Sequence, residues 1–258
     1  MIRQTIALFR YQLLGIINTR VIILLCLVFS VAFVGSQFIA ELAILNSDDI
    51  ALAALADFLR YSLVILLIIS LSFQVSQDYE SGQFERLLAM PLSRVQYVLA
   101  QFTVLLVLAF ILIIPLFIIV LLLSDSTVAL YWAVATFLEL ILVGQFALLA
   151  IVSLEKLPLS VIFTFAIYLL SKSASLIELA LSRSTPFYDE EGSFQLILFI
   201  FSKISYVLPD SSYFAQNNIF FESVNYGGIL SSQFVSVIIY SAFIQSVLLI
   251  DFYRKEFN

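Results

Sequence analysis

Very few side chains in this sequence belong to the types that carry out covalent or metal chemistry. The 258 residues include no histidine and one cysteine, Cys26, which lies inside an apolar run. Histidine-dependent hydrolase triads, histidine-containing zinc motifs and an intrachain disulfide are therefore excluded. None of the seven glycines opens a loop ending in Gly-Lys-Ser or Gly-Lys-Thr, so the chain has no phosphate-binding loop for ATP. We expect no catalytic residue and no metal site.

The acidic residues do not change that expectation. The run YDEEG, residues 188–192, has no metal-binding pattern and no histidine beside it. It is typical of a solvated acidic loop. The aspartates lie at the ends of apolar runs or between them, so they do not form the intramembrane pair that an aspartyl protease needs.

Glu139 lies inside the fourth predicted span and Lys172 inside the fifth. Glu139 and Lys172 each lie about sixteen residues from the Glu155-Lys156 turn, on opposite sides of it. At 1.5 Å per residue both fall roughly 25 Å from the turn, which predicts equal depth in an antiparallel helical hairpin. A carboxylate inside a membrane is costly unless it is paired, protonated or facing water. We predict a structural ion pair across the hairpin; separate contacts to a cavity or to lipid headgroups are the alternative.

A charged segment, DYESGQFERLLAMPLSR at residues 78–94, has the most specific layout in the chain. Between its glycine and its proline, apolar and charged side chains take opposite faces of a short helix. A rigid amphipathic helix with a turn at each end suits a partner's groove; the alternative is a solvated loop with an interfacial helix. The candidate contact residues are Glu80, Gly82, Phe84, Glu85, Arg86, Leu87, Leu88, Pro91, Ser93 and Arg94.

The composition decides what kind of element must position these residues. The chain is 62% hydrophobic and 12% charged, and its mean hydropathy is +1.10. Those values lie outside the range of water-soluble domains, so the lipid bilayer must be its solvent. A span needs about 20 apolar residues, so the chain holds about six spans and no separate soluble domain. We expect no nucleic-acid partner.

The sequence predicts an all-α membrane protein with one transmembrane domain over residues 1–258. Residues 1–20 have the spacing of an amphipathic interfacial helix, and a polar stretch, 41–60, separates the first two spans. The outer loop, 182–228, contains an apolar stretch, Phe194–Leu208, that is too short to span and is predicted to be re-entrant or interfacial. The six predicted spans are 21–40, 61–77, 95–123, 127–153, 158–181 and 229–250.

The positive charges predict the orientation. With the N-terminus inside, eight Lys and Arg residues face the cytoplasm and four face outside, which favours two cytoplasmic termini. The eight are Arg3, Arg10, Arg20, Arg86, Arg94, Lys156, Arg254 and Lys255, and the four are Arg60, Lys172, Arg183 and Lys203.

Residues 80–94 resemble a known family. ESGQFERLLAMPLSR is similar to the Glu, Gly, Glu, Leu-Leu, Pro, Ser-Arg pattern after the second span of the type-2 family of ABC transporter permeases. A second similarity is ISYVLPDSSYF, residues 204–214, before the last span. Gln83 stands where threonine is common and Gln101 where a lysine often ends the motif, which points to a divergent branch.

The resemblance implies a function that the residues alone do not. In that family the segment is the coupling helix that docks into the ATPase subunit. The chain would then be the permease subunit of an exporter in the cytoplasmic membrane of a prokaryote, paired with a second permease copy or paralogue. ATP and magnesium would be bound by the partner ATPase subunits, and no cofactor by this chain. Two rival functions are an ion-coupled secondary transporter and a non-transporting membrane scaffold.

Overall fold

The structure of the protein, a computed structural model, describes residues 19–42, 47–80, 94–183 and 226–254, together with Phe199, Lys203, Pro209, Phe214 and Phe220. These parts of the chain contain six long helices and no strand. The helices are α1 Thr19–Leu42, α2 Ser47–Glu80, α3 Arg94–Leu123, α4 Ser126–Leu154, α5 Leu157–Arg183 and α6 Tyr226–Arg254.

Four of these helices contain an apolar stretch long enough to cross a bilayer. The stretches are Asp49–Asp78, Val95–Leu123, Ser126–Leu154 and Gly227–Asp251, of 30, 29, 29 and 25 residues. Shorter apolar stretches, Phe29–Ile39 and Leu157–Ser173, lie in α1 and α5. At 1.5 Å per residue, 25 residues reach about 37 Å, more than the roughly 30 Å hydrocarbon core. This is the architecture of an all-α membrane protein.

Helix α4 is the centre of the bundle. It contacts α2, α3, α5 and α6, while α1 packs on the outside against α2. Bulky side chains of α4, among them Tyr131 and Trp132, are almost completely buried. A helix that is apolar all round is stable only where other helices or lipid surround it, which fits this position.

A two-residue turn joins α4 to α5. Glu155 adopts the left-handed conformation, with φ at 57°, and its N–H bonds to the Ile151 carbonyl at 3.0 Å. This is the usual way for a helix to end, although glycine is the residue that fits it without strain. Pro158 lies in the first turn of α5, where its missing N–H has no cost. The two helices therefore run back along each other as a hairpin.

The start of α2 differs from the sequence prediction. The polar stretch 41–60 was expected to separate two spans, but from Ser47 onward it is helical and continuous with the membrane-length part of α2. Ala51, Leu55, Ala56 and Leu59 are buried and form one face at helical spacing. Packing of this face outweighs the local polarity of residues 46–49, because tertiary contact overrides weak local preference.

The turn before α4 has no side-chain N-cap. Asp125 occupies the N-cap position, but its side chain makes no capping hydrogen bond. The Ser124 hydroxyl instead donates to the Val120 carbonyl at 2.8 Å and so serves the end of α3.

Three predicted features lie largely outside the described residues. They are the interfacial helix at 1–20, of which 1–18 are not described, residues 81–93 of the charged segment, and the apolar stretch 194–208 apart from Phe199 and Lys203.

Candidate functional site

Glu139 lies at the centre of a buried polar cluster between α2, α4 and α5. Its side chain is completely buried. The Tyr168 hydroxyl donates to Glu139 Oε1 at 2.9 Å, and Lys172 Nζ lies 3.4 Å from the same oxygen. Tyr168 and Lys172 are one turn apart on α5, so they reach Glu139 from the same face. The ion pair predicted from equal depth in the hairpin is present.

Arg60 is the member of the cluster that the sequence analysis missed. It was assigned to an outer loop, but it lies on α2 with its side chain only 5% exposed. Its Nε is 3.7 Å from Glu139 Oε2, and its Nη2 is 2.7 Å from Asp57 Oδ1. The available signal was the three-residue spacing of Asp57 and Arg60, which is typical of an ion pair on one helix face.

Aromatic rings complete the surroundings of the two cations. The Arg60 guanidinium carbon lies 5.0 Å from the centre of the Tyr61 ring. Lys172 Nζ lies 4.7 Å from that ring and 5.7 Å from the ring of Tyr168. The negative faces of aromatic rings attract cations, most strongly where water is excluded. Tyr61 therefore offsets part of the cost of desolvating Lys172.

The cluster also holds two backbone carbonyls from the chain that precedes α6. Arg60 Nη1 donates to the Phe214 carbonyl at 3.1 Å, and the Ser171 hydroxyl donates to the Pro209 carbonyl. The Phe214 side chain is buried among Leu138, Leu142 and Val237. Both carbonyls belong to residues of the 204–214 motif, so α2, α4 and α5 fix Pro209 and Phe214 against the bundle.

No known family model matches this chain, and no curated protein matches it.

The charges of the cluster balance. Asp57 and Glu139 supply two negative charges, and Arg60 and Lys172 supply two positive charges. A buried charge is tolerated when an opposite charge and hydrogen bonds surround it, so this arrangement suits a structural role. In the described part of the chain, no group of three or more Cys, Asp or Glu side chains could hold a metal ion. The cluster offers charge neutralisation rather than a nucleophile or a metal centre.

The predicted contact segment lies at the opposite end of α2. That helix ends at Glu80 and α3 begins at Arg94, and residues 81–93 between them lie outside the described part. Glu80 is exposed, and its Oε1 accepts a hydrogen bond from the Ser76 hydroxyl at 3.4 Å. Twenty residues separate Arg60 from Glu80, or about 30 Å along the helix. The structure therefore does not bring the two sets of candidate residues together; α2 connects them.

Proposed function

We propose that this chain is the membrane-spanning permease subunit of an ATP-driven ABC transporter, working as an exporter in the cytoplasmic membrane of a prokaryote. ATP and magnesium are bound by separate ATPase subunits, and the permease pairs with a second copy or a paralogue. The substrate follows from neither the fold nor the motif, because similar folds carry unrelated substrates.

The observation that carries this proposal is the place of the ESGQFERLLAMPLSR motif in the chain. It joins α2 to α3, and both of these helices contain apolar stretches of membrane length. A connection between two spans lies at the membrane surface, where a soluble subunit could dock its groove over the short amphipathic helix that the sequence predicts there. Any movement imposed on the connection then reaches two membrane helices directly.

The proposal includes six spans, with α1 and α5 added to the four long apolar helices. α1 has 24 residues and α5 has 27. At 1.5 Å per residue they are about 36 Å and 40 Å long, which is sufficient to cross the hydrocarbon core. An even number of spans leaves both termini on the cytoplasmic side, as the distribution of Lys and Arg favours.

In this mechanism ATP binding and hydrolysis change how strongly the ATPase subunits hold residues 80–94. Closure of the ATPases tilts α2 and α3 and alters access at the interface between the two permeases. A partner shifts such an equilibrium only through a difference in its contacts with the two states, and the docking segment supplies that difference.

The test is ATP hydrolysis by the purified complex, obtained by co-expressing the chain with the ATPase encoded by a neighbouring gene. We expect Glu85→Lys and Leu88→Trp to lower hydrolysis by the complex, because they alter the charged and apolar sides of the docking helix. Arg254→Gln, at the exposed end of α6, is the matched surface control and should hydrolyse ATP at the unaltered rate.

Hydrolysis unaffected by Glu85→Lys and Leu88→Trp in a complex that still assembles would contradict the proposal. Transport driven by an ion gradient without an ATPase would favour a secondary transporter. A stable complex with neither transport nor hydrolysis would favour the scaffold.

A further inference from the structure

The chain that precedes α6 lies deep in the bundle at two described residues, Pro209 and Phe214. Pro209 is buried, and its carbonyl accepts a hydrogen bond from Ser171, which lies about 21 Å along α5 from the start of that helix. Phe214 is buried among residues that include Leu138 and Leu142, which lie about 24 and 18 Å before the end of α4. Because α4 is about 43 Å long, both residues lie near the middle of the bundle.

The helices on either side of this chain end and begin at a different level. α5 ends at Arg183, about 40 Å from the α4–α5 turn. α6 begins at Tyr226, about 43 Å from its own end, and that end lies beside the end of α4 because Ser153 donates to Asp251. The chain therefore leaves α5 at the end of the bundle that holds the α3–α4 turn, reaches mid-depth at Pro209, and returns to the same end. This is the path of a re-entrant chain.

A re-entrant backbone needs hydrogen-bond partners from the protein. Non-helical backbone at membrane depth is stable only where protein or enclosed water satisfies it, because lipid tails cannot. Arg60 Nη1 donates to the Phe214 carbonyl at 3.1 Å, and the Ser171 hydroxyl donates to the Pro209 carbonyl. A buried carbonyl without a donor is unfavourable. Arg60 and Ser171 therefore offset the cost of placing these two carbonyls at mid-depth.

Two carboxylates hold the Arg60 guanidinium in position for this bond. Its Nη2 lies 2.7 Å from Asp57 Oδ1, and its Nε lies 3.7 Å from Glu139 Oε2. A guanidinium is planar and its donors point in fixed directions, so contacts on two of its edges direct Nη1 toward the Phe214 carbonyl. A lysine at position 60 would keep the positive charge but would lack this fork of donors.

We propose that Arg60 and Ser171 form a latch that holds the re-entrant chain at Pro209 and Phe214, and that Glu139 positions Arg60 for it. Loss of either donor leaves a carbonyl unbonded at mid-depth. The chain then moves toward the membrane surface, where water can bond to its backbone. The two hydrogen bonds and the buried Phe214 ring are separate from the contacts between the long helices, so the chain can be released while the bundle stays packed.

The latch has a consequence for transport, which rests on the proposed function. An exporter opens to the outside in each cycle, while its ATPase subunits act at the cytoplasmic end. α2 connects the two places, since Arg60 and Glu80 are about 30 Å apart along that helix. A tilt of α2 imposed at Glu80 moves Arg60 relative to Ser171 on α5. Force from the docking segment therefore reaches the re-entrant chain through one helix.

The test is the distance between two nitroxide labels, measured by pulsed electron spin resonance on the purified protein in lipid nanodiscs. In a Cys26→Ser background, Ser211→Cys places one label two residues after Pro209 in the sequence. Lys156→Cys places the other at an exposed position in the α4–α5 turn. With the latch intact we expect about 25–30 Å, because Pro209 and Phe214 lie about 20 Å from the level of that turn and the labels add a lateral offset.

Loss of either donor should lengthen that distance. Arg60→Lys keeps the charge beside Glu139 but removes the guanidinium fork, and Ser171→Ala removes the hydroxyl. In each variant we expect a shift of about 10 Å or more, toward the roughly 40 Å that separates the two ends of the bundle. Ser160→Ala is the matched control and should leave the distance unchanged, because the buried Ser160 hydroxyl bonds to the Leu157 carbonyl within α5.

A second pair of labels separates release of the chain from unfolding. Asp125→Cys and Lys156→Cys, both at exposed positions, should keep one distance in every variant. If Arg60→Lys alters this second pair, Ser171→Ala decides in its place, because it changes no charge. A distance near 40 Å with the latch unaltered, or no shift in the deciding variant, would overturn the latch. The measurement needs no ATPase and no transport assay, so the latch and the permease proposal can fail separately.

Discussion

At the scale of single residues, the two cations of the Glu139 cluster are not equivalent. The side chain of Arg60 is 5% exposed and that of Lys172 is 16% exposed. Each lies against a different oxygen of the Glu139 carboxylate, and Arg60 also has Asp57 as a partner. Removal of one member of a buried ion pair is costly chiefly because an uncompensated charge stays behind. The loss of stability caused by a substitution should therefore depend on which charge it leaves without a partner.

Glu139→Gln should be the most destabilising single change in the cluster. It leaves Arg60 and Lys172 buried with only Asp57 to balance them, and we expect a loss of about 3–5 kcal/mol in the free energy of unfolding. Lys172→Met should cost less, because Lys172 is the more exposed cation and because Arg60 and the Tyr168 hydroxyl still contact the Glu139 carboxylate. Reversible denaturation in mixed micelles measures both values.

Lys156→Met is the matched control, since Lys156 is exposed in the turn between α4 and α5. An exposed substitution of this kind should change the unfolding free energy by less than about 0.5 kcal/mol. If Glu139→Gln lowered the free energy of unfolding no more than this control does, the cluster would have no role in stability.

At the scale of helices, α4 packs tightly against α2 and α3 at Gly144. A methyl group added there would overlap the Leu105 side chain of α3 and would lie 3.1 Å from Leu67 Cδ2 of α2. Leu67 and Leu105 are fully buried, so neither can swing out of the way. Gly144 lets three helices meet where any larger side chain would push them apart, the use that membrane helices commonly make of small residues.

We expect Gly144→Ala to destabilise the protein by about 1–3 kcal/mol, the usual cost of overpacking. Leu105→Ala should make room for the new methyl group, so the double variant should lose less stability than the sum of the two single variants. The free energy of unfolding of the two single variants and the double variant measures this coupling.

Gly35→Ala on α1 is the control, because nothing lies within 4 Å of the added methyl group. Alanine favours a helix over glycine by up to about 1 kcal/mol, so this change should be neutral or slightly stabilising. Equal destabilisation at Gly35 and Gly144 would mean that helix–helix contact is not the cause.

At the scale of the whole molecule, the Glu139 cluster lies between the two ends of the bundle, because Glu139 is near the middle of α4. The α3–α4 turn lies at the first end, and the connection from α2 to α3 lies at the second end. The α4–α5 turn shares that second end, where the Ser153 hydroxyl also donates to Asp251 of α6 at 2.8 Å. If the distribution of Lys and Arg sets the orientation, this second end faces the cytoplasm.

Labelling from outside tests that orientation. In a Cys26→Ser background, Asp125→Cys and Lys156→Cys place a thiol just beyond each end of α4, a helix of 29 residues and about 43 Å. Both native residues are exposed. A membrane-impermeant maleimide added to intact cells should label the thiol at position 125 and should reach position 156 only after permeabilisation. The reverse pattern would place the 78–94 segment outside and would contradict both the orientation and the proposed function.

The sequence by itself determined the features that depend on local geometry. Long apolar runs predicted an all-helical membrane protein, and the count of residues from the Glu155-Lys156 turn predicted that Glu139 and Lys172 would meet. Such predictions succeed because helical rise is constant and a two-residue turn leaves two helices few ways to pack. The similarity of residues 80–94 to a permease motif is also a property of the sequence, and its functional meaning remains the proposal tested above.

Only the tertiary structure decided which faces of distant helices meet. The local sequence places Arg60 at the end of a polar stretch and so predicts a loop residue. In the structure α2 begins at Ser47, and the side chain of Arg60 lies against Glu139. Its contact with the Phe214 carbonyl joins positions 154 residues apart. The spacing of side chains along one helix determines which residues share a face. Which other helix that face contacts is determined by the packing of all the helices together.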